Sequence, residues 1–183
     1  MTENSSNTVE TVTSSSADCV IKTLSDSDLE SLCQDQKDLL AYFQTKTGGT
    51  RLASRADLNP ADLKPMLPMM AIHDVINNDD GLCVDFKIRL LGTKMVFYYG
   101  ERTGYTYADL AKTPELAISA ARILSSIKAV VAERAPIVCT SSFQNGKKKW
   151  LDVAVLYIPL SKDGSHINMA LSYADIKESV TID

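Results

Sequence analysis

Apolar and polar positions change their spacing several times along the chain, and each change marks an element. Residues 1–24 are rich in Ser and Thr, hold almost no large apolar residue before Val20, Ile21 and Leu24, and show no period. They read as a disordered tail ending in a small docking patch. From Ser25 the pattern turns helical: Leu29, Leu32, Cys33, Leu39, Leu40 and Phe43 recur near a 3.6-residue spacing, and Ser27 with Glu30 makes a capping-box signature. This predicts a helix from Asp26 to Thr45, ended by Gly48 and Gly49, within a flanking segment 25–48.

The stretch from Arg51 to Pro68 carries three X-Pro steps and reads as a structured connection with at most one turn around Ala61 to Lys64. Period-two alternation then appears. Met69 to Ile76 and Leu82 to Leu91 flank the turn cluster Asn77 to Gly81 and predict a hairpin, with Val84, Phe86, Ile88 and Leu90 on one side of the second strand. Lys94 to Tyr99 is long enough for one or two helical turns. Thr113-Pro114-Glu115 starts a longer helix whose face holds Leu116, Ala120, Ile123, Leu124, Ile127 and Val131, broken at Ala135-Pro136. Three strands close the chain, Ile137 to Phe143, Lys149 to Ile158 and Ser165 to Tyr173, joined by Asn145-Gly146 and Asp163-Gly164 turns. The middle one is apolar at nearly every position, which calls for a central strand covered on both faces. The sum is an α+β domain with a five-stranded antiparallel sheet.

Composition narrows the function. With 19 basic and 23 acidic side chains and a net charge of -4, the chain is not built to bind nucleic acid, and no apolar run is long enough to span a membrane. No basic-then-apolar leader opens the sequence, so a cytoplasmic protein is expected. Cys19, Cys33, Cys83 and Cys139 are scattered singly and only His73 and His166 accompany them, so neither a metal site nor a disulfide framework is expected, and the thiols read as small core residues.

Arg89-Leu90-Leu91-Gly92-Thr93, Tyr99-Gly100, Thr103-Gly104 and Asp109-Leu110 resemble the strand-to-helix segment of PAS domains, in the compact proteobacterial form of that family. Pro159-Leu160-Ser161, Asp163-Gly164 and Ile167 with Met169 are similar to its final hairpin. The resemblance implies a PAS-like domain over residues 49–176 with a tail at 177–183, and short helices and one longer helix on one face of the sheet. It implies a sensor or interaction module for a small molecule or a signalling protein partner, without a fixed catalytic set, and association as a homodimer through the flanking helix, with Leu29, Leu32, Leu40 and Phe43 as the seam. Haem-binding members use a His on the long helix and flavin-binding ones an Asn-Cys-Arg-Phe-like run. Both are absent, so neither cofactor is expected.

The same layout encloses a cavity, and Phe86, Ile88, Tyr98, Ile123 and Ile127 are its expected apolar lining. His73 is either a pocket group or a satisfied structural histidine. Arg89 is either an anion anchor or an ion-pair partner of Asp152, Asp57 or Asp74, since a buried guanidinium must be paired. Two other readings remain open: a small α+β enzyme with His73 and Asp152 as acid and base, and a dimerising adaptor with a filled core.

Overall fold

The computed structural model describes residues 19–24, 28–144 and 150–179. The apolar alternation of the sequence becomes one antiparallel sheet of six strands: β1 Cys19–Thr23, β2 Met70–Asn77, β3 Cys83–Leu91, β4 Ile137–Gln144, β5 Trp150–Ser161 and β6 Ile167–Ser179, in the order β1-β4-β5-β6-β2-β3. The five expected strands are present and β1 is added to them. It forms from residues read as the end of a tail, because β4 offers its free edge: Cys19 pairs with Ser141 and Thr23 with Ile137. Five residues, only two of them half-buried and facing inward, are too short a pattern to announce a strand. The rest of the expected tail, residues 1–18, lies outside the described residues, as do the 145–149 turn and residues 180–183. At the other end β6 continues through the start of the expected tail at 177 to Ser179.

β5 stands third in the sheet, paired with β4 and β6, and its two-sided apolarity follows from two covering layers. Leu156, Ile158 and Leu160 face the layer made by helix α1 (Gln34–Thr47) and the 51–69 connection, where Leu39, Phe43, Leu58 and Leu63 are buried. Tyr157 faces the other layer, made by α3 (Tyr107–Leu110) and the long helix α4 (Pro114–Glu133). Helix α2 (Thr93–Tyr99) lies between β3 and α3 in the chain.

The flanking helix starts later than its spacing suggests. Asp28–Ser31 forms a separate 3-10 turn, and α1 begins at Gln34. Ser27 of the expected capping box lies outside the described residues. Gln36 takes that role at the observed start, accepting the Cys33 backbone N–H at 3.2 Å while its amide donates to Ala154 O at 3.0 Å. A buried glutamine thus both caps α1 and pins it to β5.

Gly92 explains why the Gly-Thr step follows β3. Its N–H bonds Met70 O at 2.8 Å, and a Cβ there would stand 2.2 Å from the Leu67 carbonyl oxygen and 2.4 Å from that of Pro68. Only a residue without a side chain lets the 67–69 turn pass this close. Farther on, the 102–106 segment returns along β3: Gly104 N–H bonds Ile88 O at 2.8 Å, and Ile88 N–H bonds Tyr105 O at 2.9 Å. These contacts hold α2 and α3 as a lid beside the sheet. No helix among the described residues is long and apolar enough to cross a membrane.

Candidate functional site

Between the sheet and the helices α2, α3 and α4 lies a cavity of about 90 Å³. One water needs roughly 10–15 Å³ of such space, so the cavity has room for several waters or for a small organic molecule. The sheet contributes His73, Ile88, Cys139, Val153, Val155, Tyr157 and Ser172 to its wall. The helices and the segment after α2 contribute Met95, Tyr99, Arg102, Tyr107, Arg122, Ile123 and Ser126 among others.

Two sets of polar groups stand out in this wall. The first is a closed hydroxyl–imidazole chain: His73 Nε2 lies 2.9 Å from Ser172 Oγ, and Tyr107 Oη lies 3.1 Å from His73 Nδ1. His73 is buried, and desolvation pushes its pKa down to about 3, so the ring is neutral at pH 7. Burial pushes the Tyr99 phenol up to about 12 and raises those of Tyr107 and Tyr157 as well. The wall therefore offers neutral hydrogen-bonding groups on this side.

The second set is cationic. Arg102, just beyond α2, and Arg122, on α4, both line the cavity. Arg102 gives an Nη1 hydrogen bond of 3.3 Å to Glu101 O, while its Nε is buried and makes no hydrogen bond to a described residue. The positive charge of Arg122 favours the ionised forms of Tyr99 and Cys139. Two guanidinium groups in an otherwise largely apolar wall suit an anionic atom group on a ligand.

Of the expected site residues, His73, Ile88 and Ile123 line the cavity. Phe86 and Ile127 are fully buried in the core around it and do not reach its wall. Tyr98 is exposed: Met95 and Tyr99, four residues apart, take the inward face of α2, and Tyr98 turns outward to meet Phe97 edge-on at 5.5 Å. Arg89 is a correction too. It sits on the outer face of the edge strand β3, exposed, and its Nε donates to Asp74 Oδ1 at 2.7 Å, so it is an ion-pair partner on the surface and not an anchor in the cavity.

The expected dimer seam divides in the same way. Leu32 and Phe43 are buried in the core, whereas Leu29 is exposed and Leu40 half-buried along a groove beside α1. His73 and Asp152 do not meet: Ala170 faces both His73 and Pro159, and Asp152 lies seven residues back along β5, about 23 Å away at 3.3 Å per residue. Asp152 accepts instead from Ser142 Oγ at 2.5 Å. His166 is exposed and bonds Asp163 Oδ2 at 2.8 Å. Among the described residues no three His, Cys, Asp or Glu side chains cluster as a metal site would require.

Sequence reasoning missed Arg102, Arg122, Tyr99, Tyr107 and Ser172. One signal was present for Arg122: Ser119, Arg122, Ile123 and Ser126 follow i, i+3, i+4, i+7 spacing, a helical face whose polar members interrupt the apolar stripe.

A family model described as a PAS domain matches residues 33–172. No curated protein and no solved structure matches the chain.

Proposed function

Since the chain belongs to the PAS domain family, a family of sensory and signalling modules, we propose that it works as a sensor without chemistry of its own, reading a small, largely apolar molecule with one anionic end. The observation that carries this reading is the presence of both Arg102 and Arg122 in the wall of a mostly apolar cavity of about 90 Å³. The apolar part of the ligand would gain by leaving water, and the guanidinium groups would offset the desolvation of its anionic end. His73, Tyr107 and Ser172 satisfy one another and shape the wall.

The separation of His73 from Asp152 speaks against the acid–base enzyme, and the open cavity speaks against the filled-core adaptor. A bound signal would pass to a protein partner or to a second copy of the chain. Leu29, in the turn before α1, and Leu40, on α1, are the part of the flanking segment left along the groove for such a contact.

Hexanoate, hexanol and hexylamine test the ligand class. They share a chain length and differ in the charge of the end group. Hexanoate should raise the melting temperature, by about 2.7 kcal/mol of stability at a hundredfold excess over its Kd, and hexylamine should not. The response should fall in Arg102→Met and Arg122→Met. Equal stabilisation by hexanoate and hexylamine, or none by any of the three, would overturn the reading.

A further inference from the structure

Two thiols that lie 120 residues apart in the chain meet across the β1–β4 ladder, with Cys19 Sγ and Cys139 Sγ 2.8 Å apart. In the register Cys19 faces Ser141 and Ile21 faces Cys139, so the two cysteines stand diagonally on one side of the ladder. Cys19 is half-buried on the edge strand, within reach of a small solute, and Cys139 is buried in the cavity wall. We propose that Cys19 and Cys139 form an oxidation site, which a hydroperoxide closes to an intramolecular disulfide.

The step balances in two stages. The Cys19 thiolate attacks one oxygen of hydrogen peroxide, the O–O bond breaks, and the departing hydroxide takes a proton to become water, leaving a sulfenic acid on Cys19. The Cys139 sulfur, losing its proton, then attacks the Cys19 sulfur; the S–O bond breaks and the second hydroxide leaves as water. Two thiols and one peroxide give one disulfide and two waters, with the sulfurs oxidised and the peroxide oxygens reduced.

The surroundings assign the roles. The contact with Cys139 and the charge of Arg122 lower the Cys19 thiol from its ordinary value, which favours its thiolate. The same contact, together with burial, raises Cys139, which suits the resolving partner. Cys33 and Cys83 are both raised by burial and have no second thiol beside them among the described residues. The sulfurs must close from 2.8 Å to the roughly 2.05 Å of a disulfide, and their diagonal placement requires β1, an edge strand, to move with them. The inference does not rest on the ligand reading.

The test uses the reduced full chain, treated with equimolar hydrogen peroxide, alkylated and digested without reductant. Mass spectrometry should find the Cys19 and Cys139 peptides joined, lighter by two hydrogens, with Cys33 and Cys83 alkylated, and dithiothreitol should restore all four thiols. In Cys139→Ser, which keeps a hydrogen-bond donor beside Cys19 but has no thiol to resolve with, dimedone should trap the sulfenic acid on Cys19. In Cys19→Ser, Cys139 should stay reduced. The proposal is overturned if all four thiols survive peroxide that oxidises free glutathione, if Cys19 passes to sulfinic acid in the wild type without a cross-link, or if the link joins other cysteines or two chains.

Discussion

Tyr107 Oη lies 3.1 Å from His73 Nδ1, and both side chains are buried. The imidazole is held neutral because nothing in that wall repays the desolvation of a charge. Its folded pKa of about 3 lies below the ordinary value of 6.5. As pH falls below 6.5 the unfolded chain therefore takes up a proton that the folded chain refuses, and stability is lost down to about pH 3. The limiting slope is about 1.4 kcal/mol per pH unit. Urea unfolding between pH 7 and about 4.5 should show this slope in the wild type, and His73→Gln should flatten it by about one proton. Glu101, held low by Thr103, begins to add its loss near its ordinary value of 4.5, and Asp57, held low by Arg51, with Asp163, held low by His166, add theirs mainly around and below 3.8, in both proteins alike. Identical slopes in the two proteins would contradict the neutral buried histidine.

Gly92→Ala should destabilise the fold even though its backbone lies in a region open to any residue. The added methyl meets the Leu67 carbonyl oxygen at 2.2 Å, and that oxygen belongs to the backbone of a tight turn. Forcing the turn away costs about 1–3 kcal/mol. Chemical denaturation of the variant checks it, and an unchanged midpoint would mean that the 67–69 turn does not sit against Gly92.

Phe43→Ala should act on stability. With the ring buried between α1 and the sheet, its removal should cost about 3–5 kcal/mol. Leu29→Glu, at an exposed site, should leave stability within about 0.5 kcal/mol. A Phe43→Ala protein with wild-type stability and altered sedimentation would return Phe43 to a subunit seam.

Arg89→Met should lose less than about 1 kcal/mol, because its pair with Asp74 is exposed on an edge strand. It should leave the response to hexanoate unchanged. A lost response would place Arg89 in the recognition of the ligand.

Much of the fold was legible because sheet positions announce themselves. The run Leu151 to Ile158, apolar at every position but Asp152, located the central strand, and Thr113-Pro114 located the start of α4 to the residue. Where the pattern was weak, context decided. β1 exists because β4 had an open edge, and α1 starts at Gln34 because Gln36 supplies the cap. The site was less legible. Apolar residues at core spacing do not reveal which of them faces a void, so Phe86 and Ile127 could not be told from Ile88 and Ile123. Arg89 looked enclosed because its neighbours are apolar, yet the edge of the sheet leaves its face open. The meeting of Cys19 and Cys139 depends on a strand that the sequence pattern did not show.

The central claim is that the space between the sheet and α4 receives the ligand. Backbone amide shifts of the isotope-labelled chain, followed by NMR as hexanoate is added, test it most directly. The predicted result is a saturable set of shifts centred on His73, Arg102, Ser119, Arg122, Cys139 and Tyr157, reduced in Arg122→Met. Saturable shifts centred instead on the groove around Leu29, Leu40 and Pro159, or the absence of saturable shifts altogether, would contradict it.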